Sequence, residues 1–165
     1  MTSEACAGCG VQLPPFDGPV HRYMVSSPSC WQVFGQVLTR EYGDAAFMAS
    51  HRLTVDAYAV QHPGDPSPQS IQSVAVHLIS LYAMLELQFS FAAATQLMRQ
   101  SADRRRFDWL EPPPQRGERT VASVLSARTP GQHARAVRGW AESAWQSWAR
   151  YHPAIAAWAA AAREP

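Results

Sequence analysis

Residues 74–94, with the sequence VAVHLISLYAMLELQFSFAAA, decide the fold because they are apolar nearly all round. The stretch is long enough to suggest a membrane span, but His77 and Glu86 interrupt it. A carboxylate is costly inside a bilayer, so the stretch is better explained as the buried centre of a helical bundle. We therefore predict an all-α fold whose central element is a long third helix over residues 69–99. We expect no membrane partner.

Capping signals on the N-terminal side of this helix predict a helical hairpin. Ser27 followed by Pro28 is a typical helix start, and the first helix is expected to end near Tyr42. Asp44 can cap a second helix, over residues 45–61, after almost no loop. Because the connection is so short, the two helices should be antiparallel neighbours.

The C-terminal half of the chain predicts two more helices. A short helix is expected over residues 120–127, and Pro130 starts a long helix that Pro153 kinks or splits before its end near Arg163. The arginines at positions 104–106 are interpreted as a solvated helix end whose charge complements the helix dipole, with an anion contact as the alternative.

Length, composition and charge limit the classes of protein to consider. The 165 residues suffice for one domain, and 47% apolar residues are typical of a globular chain. We predict a single helical domain over residues 1–165, with a Gly- and Pro-rich, irregular N-terminal segment at 1–27 and a bundle over 28–165. A net charge of +1 argues against nucleic acid as a partner. Residues 1–10 do not resemble a secretory signal, so we expect a cytoplasmic protein.

The N-terminal segment carries the strongest chemical motif of the chain, Cys6-x-x-Cys9-Gly10. Two thiolates at this spacing can reach one tetrahedral ion, and the glycine relieves the backbone beside them. The same pair could instead be a redox dithiol, but no thioredoxin-like strand and helix pattern follows it. A third thiol, Cys30, lies in the first turn of the first helix. We therefore predict a metal site, and three thiolates favour zinc as the cofactor.

Hairpin geometry suggests the fourth ligand. In an antiparallel hairpin that turns near residue 43, Cys30 lies level with Ala57. At about 1.5 Å per residue, His62 then lies roughly 7 Å toward the open end and His51 roughly 9 Å toward the turn. The segment that carries the first two cysteines enters at the open end, which favours His62. His51 and His21 remain the alternatives, and His62 could also be only a helix C-cap.

Three polar side chains predict an internal pocket. His51 and Tyr58 lie on one face of the second helix. The same count of residues across an antiparallel hairpin, applied to the second and third helices, places His77 at a height between them. We expect these residues either to satisfy one another in the core or to form the candidate catalytic or ligand-binding pocket. Asp56 lies off this face, and Arg52 is its expected ion-pair partner.

Several blocks of sequence resemble a known family. The Cys-x-x-Cys-Gly motif, His21-Arg-Tyr, Cys30-Trp, Arg40-Glu-Tyr and the long block HRLTVDAYAVQHPG at 51–64 look like an uncharacterised bacterial family, catalogued as a domain of unknown function. The resemblance covers nearly the whole chain. It implies a shared fold and a shared set of Cys and His residues, and it implies no activity.

The sequence leaves three functions open. The first is a zinc-binding helical protein whose internal His- and Tyr-lined pocket takes a small molecule or a protein partner. The second is a zinc-dependent hydrolase or transferase that acts through a metal-bound water or thiolate, with His51 or His77 as the acid-base group. The third is a thiol redox switch that uses Cys6 and Cys9.

Overall fold

The computed structural model describes residues 2–104 and 107–164, and its regular secondary structure is almost entirely helical. The predictions for the side chains at 104–106 lie outside the described residues. The all-α fold with an irregular N-terminus is confirmed. In chain order the elements are β1 (Glu4–Ala5), β2 (Gln12–Leu13), α1 (Pro28–Gly43), α2 (Ala45–Met48), α3 (His51–Gln61), α4 (Pro68–Leu85), α5 (Phe91–Arg104), α6 (Pro130–Ser147) and α7 (His152–Arg163).

The start of α1 follows its capping signal. The Ser27 side chain accepts a hydrogen bond from the backbone N–H of Cys30 at 3.2 Å, with Pro28 in the first turn. Asp44 likewise accepts from the N–H of Ala46 at 2.8 Å and caps α2. Each cap satisfies a donor that the first helical turn leaves without a partner.

The second predicted helix is wrong as one continuous element, because the chain breaks at Ala49 and Ser50 between α2 and α3. The N–H of Ser50 donates to the carbonyl of Phe47 at 3.2 Å, which is the tight bond of a 3₁₀ turn. The N–H of Thr54 then donates to the carbonyl of Ser50 and starts the next helix. No proline or glycine marks this break in the sequence.

The third predicted helix is also wrong as one element, because α4 ends at Leu85 and α5 begins at Phe91. Between them Gln88 has φ +59°, a left-handed conformation that cannot continue a helix. Its side chain donates to the carbonyl of Leu85 at 2.8 Å, and the hydroxyl of Ser90 accepts from the N–H of Ala93 at 3.2 Å. The apolar stretch thus turns back on itself. In the part of the chain that the structure describes, no helix is both long and apolar enough to cross a bilayer.

The remaining helices pack around α4, which contacts α3, α5, α6 and α7. In place of the predicted short helix, residues 121–124 form a single 3₁₀ turn that packs on α1 and α6. The last long helix is split as predicted, into α6 and α7, with Pro153 in the first turn of α7. Three fully buried tryptophans of α6 and its C-terminus fill the core: Trp140, Trp145 and Trp148.

Candidate metal centre

The two strands of the N-terminal segment form a small knuckle that presents Cys6 and Cys9. Glu4 pairs with Leu13 in the antiparallel sheet. In the loop between the two strands, the N–H of Cys6 donates to the carbonyl of Val11 at 2.9 Å, and the N–H of Gly10 donates to the carbonyl of Cys6 at 2.8 Å. Gly10 has a φ of +74°, a backbone conformation that is unfavourable for residues with a side chain. The turn therefore holds both cysteines in a fixed loop.

Gly8, at the tip of this loop, makes the closest approach to the bundle. A Cβ at this position would lie 2.3 Å from Cδ2 of His62 and 2.3 Å from the carbonyl oxygen of Val25. Only a residue without a side chain fits there, so the space beside His62 requires glycine.

The helical bundle contributes the other two predicted metal ligands, Cys30 and His62. Cys30 lies in the capped first turn of α1, and His62 is the C-cap of α3. The Nδ1–H of His62 donates to the carbonyl of Tyr58 at 2.7 Å, so its Nε2 lone pair points the other way. That atom lies 3.4 Å from Sγ of Cys30. A hydrogen bond of this kind is how proteins orient an imidazole that ligates a metal.

The four side chains could hold a metal ion. The three Sγ atoms of Cys6, Cys9 and Cys30 and the imidazole nitrogen of His62 all lie within 4.8 Å of one another. Cys9 and Cys30 are 3.8 Å apart, sulfur to sulfur. Tetrahedral zinc, with bonds of about 2.3 Å to sulfur and about 2.0 Å to nitrogen, separates two sulfurs by about 3.8 Å and a sulfur from a nitrogen by about 3.5 Å. The arrangement thus fits a tetrahedral ion.

The charge of the thiol cluster also fits a cation. Contacts with Cys30 and Cys9 lower the pKa of Cys6 far below its usual range, against the effect of burial. The contact with Cys30 lowers the pKa of Cys9, but the contact with Cys6 and burial outweigh it and raise that pKa to about 12. Contacts with Cys6 and Cys9, with burial, raise the pKa of Cys30. The three thiols therefore share one negative charge, whereas a bound metal ion would deprotonate all of them.

Neighbouring groups support the sulfur atoms from the protein side. The N–H of Ser27 donates to Sγ of Cys6 at 3.4 Å, and the hydroxyl of Tyr58 lies 3.7 Å from Sγ of Cys30. The fully buried ring of Tyr58 stacks between Phe34 and His62, each with its ring centroid 3.9 Å away. Burial and the nearby thiols raise the pKa of Tyr58, which keeps it a neutral hydrogen-bond donor. Tyr58 therefore belongs to this cluster.

Arg116, which is distant from the four residues in the sequence, binds backbone atoms beside the site. Its Nη1 donates to the carbonyl of Gly8 at 2.9 Å and to that of Gln61 at 3.3 Å. The Gln61 amide in turn donates to the carbonyls of Arg116 and Arg119, and its Oε1 accepts from Trp140. No local motif around Arg116 could have predicted this role, because its partners lie 108 and 55 residues away in the sequence.

The predicted internal pocket of His51, Tyr58 and His77 is not formed. His51 donates through Nδ1 to Glu41 at 2.8 Å, and Nδ1 of His77 contacts Asp56 at 2.7 Å. Within residues 2–104 and 107–164, no hydrogen bond or ring contact joins any two of the three. The hairpin argument placed His77 at the right height, since it contacts Arg52 and Asp56, but His51 and His77 each bind a buried carboxylate instead of Tyr58.

These two carboxylates are fully buried hubs. Glu41 accepts hydrogen bonds from His51 and from Nε2 of His133, the latter at 2.8 Å. Its carboxylate, which is fully buried, also accepts from the hydroxyl of Thr54. Asp56 forms the expected ion pair with Arg52 at 2.6 Å. It also accepts from the hydroxyl of Ser80. Neither hub shares a hydrogen bond with the cysteines. His21, the other alternative ligand, contacts Tyr23 and Trp31 edge-on.

A surface groove of about 350 Å³ lies beside the knuckle, and residues 6–10 and 114–118 line it. Cys9 is half-buried, whereas Cys6, Cys30 and His62 are buried. The cluster therefore has one thiol at its accessible edge.

Comparison with known proteins identifies the family. No curated protein and no solved structure matches the chain. A family described only as a family of unknown function (DUF5946) matches residues 4–149, a range that includes Cys6, Cys9, Cys30 and His62. This agrees with the resemblance seen in the sequence blocks. The chain belongs to that family of unknown function, DUF5946.

Proposed function

We propose that the protein is a zinc-binding helical module, with Cys6, Cys9, Cys30 and His62 as the four ligands. The observation that supports this most directly is the close approach of their donor atoms, with separations of 3.8 Å between two sulfurs and 3.4 Å between sulfur and nitrogen. Thiolate and imidazole donors favour zinc, whereas magnesium and calcium require oxygen ligands.

The proposed role of the ion is to fasten the N-terminal segment to the bundle. Two ligands come from the knuckle, and two come from the facing ends of α1 and α3. Four protein ligands complete a tetrahedral shell, as in structural zinc sites. The knuckle itself has only four residues in strands, so the metal would supply much of its stability.

We further propose that the groove beside the knuckle binds a small molecule or a segment of a partner protein. Its volume of about 350 Å³ lies in the usual range of ligand sites, roughly 300–1,000 Å³. Arg116 and Glu118 line it and offer charges of both signs. Because one wall of the groove is the knuckle, the metal would determine its shape.

Metal analysis of paired histidine variants tests the zinc site. We expect one equivalent of zinc in the parent protein and in His21→Gln, which alters a histidine of the same region outside the cluster. His62→Gln should lose most of the zinc. With Co²⁺ in place of zinc, the parent should show the thiolate-to-metal absorption of a tetrahedral site. Parent protein that takes up neither metal, or His62→Gln with full zinc content, would contradict the proposal.

A further inference from the structure

We propose that Cys9 is a modification site for peroxides, where oxidation forms a Cys9–Cys30 disulfide and expels the zinc ion. This inference rests on the proposed zinc site and goes beyond it, because it assigns the cluster a reactive edge and a direction of reaction. The sequence alone suggested a Cys6–Cys9 pair for redox chemistry, whereas the three-dimensional arrangement favours a different pair.

The first step in the argument is access to the sulfur atoms. Cys6 and Cys30 are 2% and 0% exposed, whereas Cys9 is only half-buried and lines the groove of about 350 Å³. The loop residues on either side of it, Gly8 and Gly10, carry no side chain that could cover the sulfur. Cys6 lines the same groove but is only 2% exposed, so a small oxidant in the groove meets Cys9 first.

The buried thiols are protected by specific contacts. The phenol of Tyr58 covers Cys30, and its ring is fixed by stacking on Phe34. Sγ of Cys6 accepts the N–H of Ser27, a hydrogen bond that reduces the electron density available for attack. Of the three cysteines, Cys9 is thus the most accessible.

The second step is the position of a resolving thiol. Sγ of Cys30 lies 3.8 Å from Sγ of Cys9, and a disulfide needs this separation to fall to about 2.0 Å. Cys9 lies in the short loop between β1 and β2, while Cys30 is anchored in a capped helix. Movement of the loop toward α1 is therefore enough to bring the two sulfurs together.

The chemistry balances with hydrogen peroxide or an organic hydroperoxide as the oxidant. The Cys9 thiolate attacks one peroxide oxygen, so that an S–O bond forms and the O–O bond breaks. The leaving group is hydroxide from hydrogen peroxide, or alkoxide from an organic hydroperoxide, and it takes a proton from solvent to become water or the alcohol. Sulfur is oxidised by two electrons to a sulfenic acid, and the peroxide is reduced. The Cys30 thiolate then attacks this sulfur, an S–S bond forms, and the S–O bond breaks; the hydroxide that leaves takes a proton from solvent and becomes water. A bound zinc ion would then retain only Cys6 and His62 as ligands and would be released, with no change in its oxidation state.

The test treats zinc-loaded protein with hydrogen peroxide and follows two readouts in the same sample. A chromogenic chelator measures released zinc, and peptide mapping by mass spectrometry identifies the disulfide. We expect one zinc released for each Cys9–Cys30 disulfide formed. A Cys6–Cys9 or Cys6–Cys30 disulfide as the main product, or full retention of zinc after thiol oxidation elsewhere, would overturn the inference. Protein that binds no zinc at the outset refutes the proposed function separately, and the disulfide map still decides which thiols react.

Alkylation of the cysteines and a variant that keeps a zinc ligand at position 9 provide two independent tests of the proposal. Iodoacetamide should modify Cys9 of the zinc-loaded protein about tenfold faster than Cys6 or Cys30, since reactivity follows exposure of the thiolate. Cys9→His keeps a zinc ligand but removes the thiol, so peroxide should release its zinc about tenfold more slowly than from the parent. Equal alkylation of all three cysteines, or equally fast zinc release from this variant, would contradict the proposal. If the variant does not hold zinc, the alkylation order in the parent decides.

Discussion

At the scale of single residues, the candidate site depends on how closely two backbones approach. Gly8 lies against the imidazole of His62 and the carbonyl of Val25, and there is no room between them for a methyl group. The sequence predicted the four donor residues because the spacing of cysteines, and the residue count across an antiparallel hairpin, depend only on residues that are near one another in the chain. Arg116 and Tyr58 could not be assigned in this way, because their contacts with the cluster depend on long-range packing.

Gly8→Ala should disturb the candidate site without touching a ligand. A Cβ at 2.3 Å from two neighbours forces the knuckle away from α3, and we expect a loss of about 1–3 kcal/mol in the free energy of unfolding, together with weaker zinc binding. Gly35→Ala, in the middle of α1 with nothing within 4 Å of its Cβ, is the matched control. That variant should gain about 0.5–1 kcal/mol. Thermal unfolding and zinc content measure both effects, and equal stability of the two variants would refute the steric argument.

At the scale of elements, buried carboxylates hold the helices together. Glu41 of α1 binds His51 of α3 and His133 of α6, so that one side chain joins three helices. The helix types and most starts were predictable, because Ser, Thr and Asp caps and prolines act locally. The turn at Gln88 was not predictable, because the residue in the left-handed conformation is not the glycine that usually marks such a turn.

Glu41→Gln tests this hub. The substitution keeps the size of the side chain but removes the charge that pairs with two imidazoles, so we expect a loss of about 3 kcal/mol in the free energy of unfolding. Glu142→Gln is the control, because the ion pair of Glu142 with Arg138 is about half exposed on both sides. An exposed pair of this kind contributes at most about 1 kcal/mol. Chemical denaturation of both variants gives the comparison, and a similar small effect for both would show that the hub is not needed.

At the scale of the whole molecule, the N-terminal segment meets the bundle at the cysteine cluster, at Arg116 and through further hydrogen bonds such as that from the Ser29 hydroxyl to the carbonyl of Pro14. The core of the bundle is built on the buried tryptophans of α6 and on α4. The two parts should therefore respond differently when the metal is removed, and they should also respond differently to pH.

Chelation of the metal should release the knuckle while the bundle stays folded. The amides of Cys6 and Gly10 donate within the knuckle, and their protection from hydrogen exchange should fall by about tenfold or more in excess chelator. The amides of α4 should keep theirs. Hydrogen exchange with mass spectrometry distinguishes the two regions. Loss of protection in α4 to the same degree would mean that the metal holds the entire fold.

Zinc affinity should fall as the solution is acidified. Without the metal, the pKa of Cys9 is raised to about 12 and that of Cys30 is also raised, so both thiols hold protons at neutral pH. Zinc must displace these protons, and each displaced proton changes the apparent dissociation constant by about tenfold per pH unit. Competition with a chromophoric chelator between about pH 6 and 8 measures the slope. An affinity independent of pH would contradict thiolate ligation.

The order of the four ligands along the chain has a consequence for biosynthesis. Cys6, Cys9, Cys30 and His62 all precede α4, and the helices that bury the tryptophans come later. A ribosome adds roughly 5–20 residues per second, so several seconds separate the emergence of His62 from that of α6. During that interval the nascent chain already carries every donor. With the proposed zinc site, the supply of metal to the growing polypeptide would bear on the earliest stage of its folding, before the last helices have been made.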